Sequence, residues 1–459
     1  MSEARLFSGL PGRAHFAIGA ALLVCSVCLA PAHAVTRPVG IFIGAQQAQA
    51  NGQSWGPALS ANGSFVAFAS AATNLDGGDT NGVWDVFRWD NATNAITRVS
   101  VRTGGGQASS PQGAGYGSWA PAISADGRFV AFMSNATDLV DPAPACNQFQ
   151  VYVHDCVMNT TELVSKNTAG EAANDSSRFP DISANGKYVV FYSFASNLTP
   201  GSTLRQWDVY RRDRQLGTTI LVSELKGTRG NSTSCDPAIS PNGRYVAFTS
   251  DATNLDPSDK NSVRDVFWHD CDTGDTVRVS VNTDGVEADG PAYGRPDVSA
   301  DGSLVAFASN ATNLGPLPYP PPSTKVDVFV HTLALSPTLP PARGTTSQVS
   351  LNNASTPGNL SSSIPSISDT GQYVAFESLA SNLVAHDGDT NWMSDVFVYD
   401  RNAPQVSRVN VSNTGNQANG ESHNPAISPD GSFVVFDSKA DNLAARRVTN
   451  GFTNVYIHK

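Results

Sequence analysis

Seven copies of one phrase run through this chain. "PALSANGSFVAF" begins at Pro57, "PAISADGRFVAF" at Pro121, "PDISANGKYVVF" at Pro180 and "PAISPNGRYVAF" at Pro237. "PDVSADGSLVAF" begins at Pro296, "PSISDTGQYVAF" at Pro365 and "PAISPDGSFVVF" at Pro425. Their glycines, from Gly63 to Gly431, recur every 57 to 69 residues. A period in that range marks a repeat architecture, in which each unit buries its apolar faces against its neighbours.

Each unit reads as four short strands. The first is the "PAIS" segment. An Asn-Gly or Asp-Gly pair then makes a tight turn, because these residues tolerate positive φ at little steric cost. The second strand is "FVAF" or its equivalent. The third is "DVFRW" at Asp85 and its counterparts, ending with "NVYIH" at Asn454; the fourth is "TRVSV" at Thr97 and its counterparts. All are short, β-branched or aromatic, and bounded by turn residues. No helical period is evident after residue 34. The reading is an all-β, seven-bladed propeller of four-stranded antiparallel blades over residues 35–459. An open array would leave two end blades uncovered, whereas a closed ring leaves none.

The two ends fit closure. The last unit stops after its third strand, at "NVYIHK". "QANGQSWGPALS" from Gln49 matches "QANGESHNPAIS" from Gln417, which sets "VGIFI" (Val39–Ile43) where "SRVNV" stands at Ser407. The expectation is that Val39–Ile43 completes the seventh blade.

The unit "PAISPNGRYVAFTS … DVFWHD … TVRVSV" resembles the TolB-type, WD40-like propeller repeat, in which a Pro-x-x-Ser-x-Asp-Gly turn precedes strands like Ile-Ala-Phe and Ile-Tyr. The resemblance covers residues 35–459 and implies the propeller fold and an envelope role. Two features depart from it. The family's tryptophan before the serine is Leu59, Ile123, Ile182, Ile239, Val298, Ile367 and Ile427 here, and the connector between strands two and three is longer. TolB's separate amino-terminal domain is not expected here.

Residues 1–34 read as a signal peptide. Arg5 and Arg13 precede an apolar run, Ala17 to Ala30, that is too short to span a bilayer. Ala32 and Ala34 occupy the small-residue positions of a cleavage site, placing the cut after Ala34. Val24 and Val27 before Cys25 and Cys28 do not suit lipid attachment. The expected location is secreted or periplasmic, with no transmembrane segment. The chain carries 29 basic and 40 acidic residues, a net charge of −11. Such a surface repels phosphate backbones, so no nucleic-acid partner is expected. Cys146, Cys156, Cys235 and Cys271 lie beyond the leader, and an even number in an exported chain favours disulfides. Three pairings are open, and none joins blades comfortably.

The long connectors carry acidic loops. "NLDGGDTNGVWDVF" from Asn74, "NLDPSDKNSVRDVF" from Asn254 and "NLVAHDGDTNWMSDVF" from Asn382 share Asp-x-Asn-x-x-x-Asp. These are Asp79, Asn81 and Asp85; Asp259, Asn261 and Asp265; and Asp389, Asn391 and Asp395, with Asp387 added in blade six. Alternate oxygen-bearing residues on a tight loop can converge on a hard cation, and these ten are the candidate calcium ligands. No bidentate glutamate follows at EF-hand distance. Asp and Asn also cap turns unaided, and the last aspartate recurs as Asp208 and Asp327 where the loop is not acidic.

Other motifs carry less. "GQSWG" (Gly52 to Gly56) has a nucleophile-elbow pattern but lacks the strand-to-helix context that chemistry requires. His154, His269, His331 and His458 end the third strand of four different blades, which separates them. His386 and His423 read as single loop residues. Prolines crowd the blade-five connectors, from Pro316 to Pro322 and from Pro337 to Pro341, as loop insertions. With no catalytic constellation, the expected function is a monomeric, non-enzymatic binding scaffold. It presents a loop face or channel to a protein or glycan. The alternative is a hydrolase or lyase on extracellular polymers that uses a divalent cation.

Overall fold

The computed structural model describes residues 35–40, 42–43, 48–109, 117–144, 146, 148–201, 205–315, 325–334, 342–384 and 389–459. The leader, Asp387, His386 and the proline insertions of blade five lie outside the described residues. Seven four-stranded antiparallel sheets follow one another, and the described residues contain no helix. Blade one comprises Ser54–Leu59, Phe65–Ser70, Asp85–Asp90 and Ile96–Arg98 in that spatial order. First strands of neighbouring blades touch around the whole ring, the seventh against the first, so they are the innermost strands. Two small ribbons stand apart: Phe42–Ile43 with Ala48–Gln49, and Glu224–Leu225 with Thr228–Arg229.

The repeated phrase does specific physical work. Ser60 Oγ accepts the Phe65 amide at 2.9 Å, and Asn62 Oδ1 accepts the Ser64 amide at 3.0 Å, so the turn is tied by its own side chains. Its glycine has a second task. Gly127 has φ +73°, and a Cβ there would lie 2.1 Å from Cδ2 of Phe65 in the preceding blade. Each aromatic that opens "FVAF" thus lies on the next blade's turn glycine. Phe433 against Gly63 makes the same contact from blade seven to blade one, which closes the ring. Between sheets, apolar clusters alternate large and small residues. One joins Val39, Val435, Val455 and Ile457 of blade seven to Val66, Phe68 and Phe87 of blade one. Burying each such side chain contributes roughly 1.5–3 kcal/mol.

The innermost strands are longer than the "PAIS" reading. Blade one's begins at Ser54 and pairs Ser54 with Ser70, Trp55 with Ala69, then Ala58 with Ala67. A bulge separates the two registers. In six blades the residue just before the proline has positive φ: Gly56, Ala120, Phe179, Asp236, Ile364 and Asn424. That break in alternation hides the first half of the strand from a period-two reading.

The closing strand is Thr36–Val39, not Val39–Ile43. Thr36 pairs with His458 and Val39 with Val455, the outermost position of blade seven. Pro38 is tolerated because this is an edge strand. The sequence register is off by two residues because the stretch from the closing strand to Gln49 is two residues longer than its counterpart before Gln417. The Phe42–Ile43 ribbon takes up the difference. A two-residue slip preserves which side chains face inward, so the inferred closure stands while its strand moves.

The third-strand histidines bind blades together. His154 Nδ1 lies 2.9 Å from Thr161 Oγ1, and that hydroxyl donates to the Val101 carbonyl of the preceding blade. His269–Thr276, His331–Thr346 and His458–Thr36 repeat the link. Burial holds all four imidazoles neutral, with pKa values pushed down to about 4. The unfolded chain protonates them near pH 6.5, so their contribution is intact above that pH and drains away as pH falls towards 4. Buried Asp265, Asp297, Asp395 and Asp437, raised to about 6, act in the opposite sense over the same window. Replacing His331 by Gln isolates one contribution. Between pH 6.5 and 4.5 the variant should lose about 2 kcal/mol less stability than the parent in urea titrations. Parallel curves would remove His331 from the acid response.

Candidate functional site

Strand directions alternate, so the long connectors between strands two and three share one face with the loops that enter each innermost strand. On that face the acidic loops gather around arginines. Arg98 from the fourth strand of blade one lies 3.1 Å from Asp76, 3.5 Å from Asp79 and 3.4 Å from Asp85. Arg278 does the same in blade four, with Asp256 at 3.2 Å, Asp259 at 3.4 Å, Asp265 at 3.3 Å and Glu287 at 3.0 Å. In blade six Arg408 reaches Asp395 at 3.1 Å, and Gln417 bridges Asp389 and Asp395.

The asparagines of these loops form turns. Asn81, Asn261 and Asn391 each accept the amide two residues on, at 3.1, 3.0 and 2.9 Å. The last aspartates accept a bond from strand four: Ser100 to Asp85, Ser280 to Asp265 and Asn410 to Asp395. Asp208 and Asp327 make the same link in blades without an acidic loop. Burial outweighs the arginines and raises the pKa values of Asp79, Asp85 and Asp259, and those of Asp265 and Asp395 to about 6. A guanidinium stands where these donors converge. Among the described residues no three His, Cys, Asp or Glu side chains are arranged to hold a metal ion.

Closer to the axis, each innermost strand opens with two successive rungs of different character. The first is a serine pair, Ser54–Ser70 in blade one, repeated in blades two, three, four, six and seven with Oγ–Oγ distances of 2.8–3.0 Å. This rung uses the serine of "GQSWG": Ser54 is buried, and its hydroxyl serves the blade. The second rung differs in every blade. It reads Trp55–Ala69, Trp119–Met133, Arg178–Tyr192 and Cys235–Thr249 in blades one to four. In blades five to seven it is Tyr293–Ala308, Ser363–Glu377 and His423–Asp437.

A second ring surrounds the first. The residue before the third strand gives its carbonyl to the amide of the next blade's innermost strand. Trp84 accepts from Ser118, Phe149 from Ser177 and Trp207 from Ser234, all within 2.7–2.8 Å. Thr453 accepts from Ser54 at 2.9 Å and completes the circle. Blades one to three therefore make an aromatic arc. Trp84 stacks on Trp119 with centroids 4.2 Å apart, and Trp55 lies 5.5 Å from Trp84. Phe179 stacks on Tyr192, whose edge meets Trp207 at 5.1 Å. Trp55 and Phe179 are 42% and 44% exposed, an unusual solvation for large rings.

Blades six and seven supply the polar counterpart. His423 Nδ1 lies 3.1 Å from Glu377 Oε2, and Ser363 donates to Glu377 Oε1 at 3.0 Å. Asp437 Oδ2 accepts the Gly56 amide at 3.1 Å and the Asn424 side-chain amide at 2.8 Å. The hydrogen bond to Glu377 raises the His423 pKa, while burial pushes that of Asp437 up to about 6. His423, raised by its bond to Glu377, and Asp437, raised by burial, thus sit on one rung as groups that can exchange protons with a bound molecule.

Sequence reasoning placed His423 in a loop; it lies on the innermost strand Ser422–Ile427. It missed Trp55, Trp119, Arg178, Glu377 and Asp437. A signal existed in the residue before the final serine of the second strand, which changes through "VAFAS", "VAFMS", "VVFYS", "VAFES" and "VVFDS" while the Phe before it and the Ser after it stay the same. The expected disulfides are absent among the described residues: Cys146, Cys156, Cys235 and Cys271 are free thiols. Cys235 is on an innermost strand, whereas Cys156 and Cys271 follow third strands at the opposite face.

No family model matches the chain, and no curated protein sequence is detectably similar. Solved structures share the fold. An oligogalacturonate lyase from Vibrio parahaemolyticus superposes with a TM-score of 0.50 at 11% identity, covering 94% of this chain and 92% of that one. A prolyl endopeptidase matches with a TM-score of 0.50 at 14% identity, over 85% of this chain and 46% of that one. TolB from Acinetobacter baumannii aligns at 15% identity with a TM-score of 0.36, over 68% of this chain and 60% of TolB. The chain therefore spans less than two thirds of the TolB and peptidase chains.

Proposed function

We propose that the chain is an exported, non-enzymatic propeller that captures a protein or glycan partner at the mouth of its loop face. The observation that carries this reading is the second rung of the innermost strands. Rungs that serve the blade repeat; this one changes in all seven blades and carries exposed aromatic and ionisable groups. On the same face Trp392 and Leu379, in the blade-six connector, are also exposed, at 71% and 43%. Export follows from the leader residues, whose end near Ala34 amino-terminal sequencing of the purified protein would locate.

The test is partner capture from envelope extracts and glycan arrays with the parent and two variants, Trp55→Ala and Trp207→Ala. Each should weaken binding by about 2 kcal/mol, as loss of an aromatic anchor does, with an unchanged melting midpoint. Undiminished binding by both variants would move the site off this face.

A second reading, a hydrolase or lyase acting on extracellular polymers, draws on the His423–Glu377–Asp437 corner. It predicts turnover of a polysaccharide or ester panel that Asp437→Asn abolishes, and sensitivity to chelation if a divalent cation takes part. A calcium titration of the melting midpoint tests the acidic loops independently.

A further inference from the structure

We propose that the mouth receives a glycan bearing ring carboxylates, and that Arg178 is the group that recognises the carboxylate. This rests on the mouth being a binding site. Other arginines around the axis are matched: Arg264 meets Asp251 at 2.9 Å and Arg295 meets Asp181 at 2.6 Å. Among the described residues the Arg178 side chain donates no hydrogen bond and joins no ion pair, and its Nε is buried without a partner. Its guanidinium lies over Phe149 and over Trp207, each 5.4 Å from the ring centroid. Two aromatic faces hold the planar fork in place, which lowers the ordering cost of binding. A planar oxyanion completes such a fork with two parallel bonds.

The surroundings narrow the class of ligand. Exposed flat rings at Phe179, the next residue along the strand, and at Trp55 in blade one offer stacking faces at the same mouth. Sugar rings present apolar C–H faces to such platforms and hydroxyls to groups like Ser363 and His423. A peptide adding as a strand is less well served. Inner-strand amides of Ile239, Ile367 and Ile427 are already taken by Asp181, Asp297 and Ser366 of neighbouring blades.

The experiment is calorimetric titration of the full chain with an oligouronate and with the same oligosaccharide after carboxyl reduction. The parent should bind the acidic form at least about tenfold more tightly, the scale of a charge-assisted pair. Arg178→Gln should erase the preference, and Arg178→Lys, which keeps charge without the fork, should retain part of it. Both variants are compared with the parent by melting midpoint. Equal binding of the two glycans, or a preference that survives Arg178→Gln, overturns the assignment, as does absence of binding to either. Tighter binding of a sulfated oligosaccharide or of a peptide with a free terminal carboxylate also overturns it. Partner capture that remains sensitive to Trp55→Ala in any of these cases keeps the mouth as the binding site.

Discussion

A chain lacking Thr36–Val39 should lose about 5 kcal/mol of stability, close to the whole margin of a small domain, and open between blades seven and one. The estimate joins burial of Val39, worth roughly 2 kcal/mol, to several strand hydrogen bonds at about 1 kcal/mol each. Two further losses follow in the structure. Thr36 no longer meets His458, and the apolar cluster shared by Val455, Ile457 and Phe68 loses one wall. Deleting Phe42–Ile43 should cost far less, because that ribbon pairs with Ala48–Gln49 outside the blade sheet. Urea titrations of the two deletions decide the matter. Equal, small losses would mean that the ring holds without its closing strand.

The second large effect concerns Arg278. Its side chain is 2% exposed and faces four carboxylates. Arg278→Ala removes the counter-charge beside the buried Asp259 and Asp265, a change that typically costs about 3–5 kcal/mol. The variant should recover part of its melting midpoint in millimolar calcium, since the vacated loop then offers oxygen donors to a hard cation. The parent, whose guanidinium occupies the same centre, should respond less. A loss of under about 1 kcal/mol would reduce the cluster to an ordinary surface network. A calcium response as strong in the parent as in the variant would show that cation and guanidinium share the loop.

These two cases mark where sequence reading ends. The acidic loops were visible as Asp-x-Asn-x-x-x-Asp, but the residue at their centre comes from strand four, some twenty residues away. Only pairing of strands three and four brings Arg278 to Asp265. The closing strand was visible as a missing fourth segment, yet its register depended on the length of a connector that has no counterpart elsewhere in the repeat.

The repeat alone determined a great deal. Glycine in a turn that requires positive φ, an aromatic beside it and alternating β-branched residues dictate four strands per unit. Seven units dictate a ring, because each sheet must cover its neighbour. These are local and nearest-neighbour demands, and they leave the same mark at every copy. The mouth is different. Trp55, Arg178, Glu377, and the pair His423 and Asp437 stand in four different blades at the positions the repeat leaves unconstrained. Only closure of the ring sets them side by side, because proximity across an axis has no period along the chain.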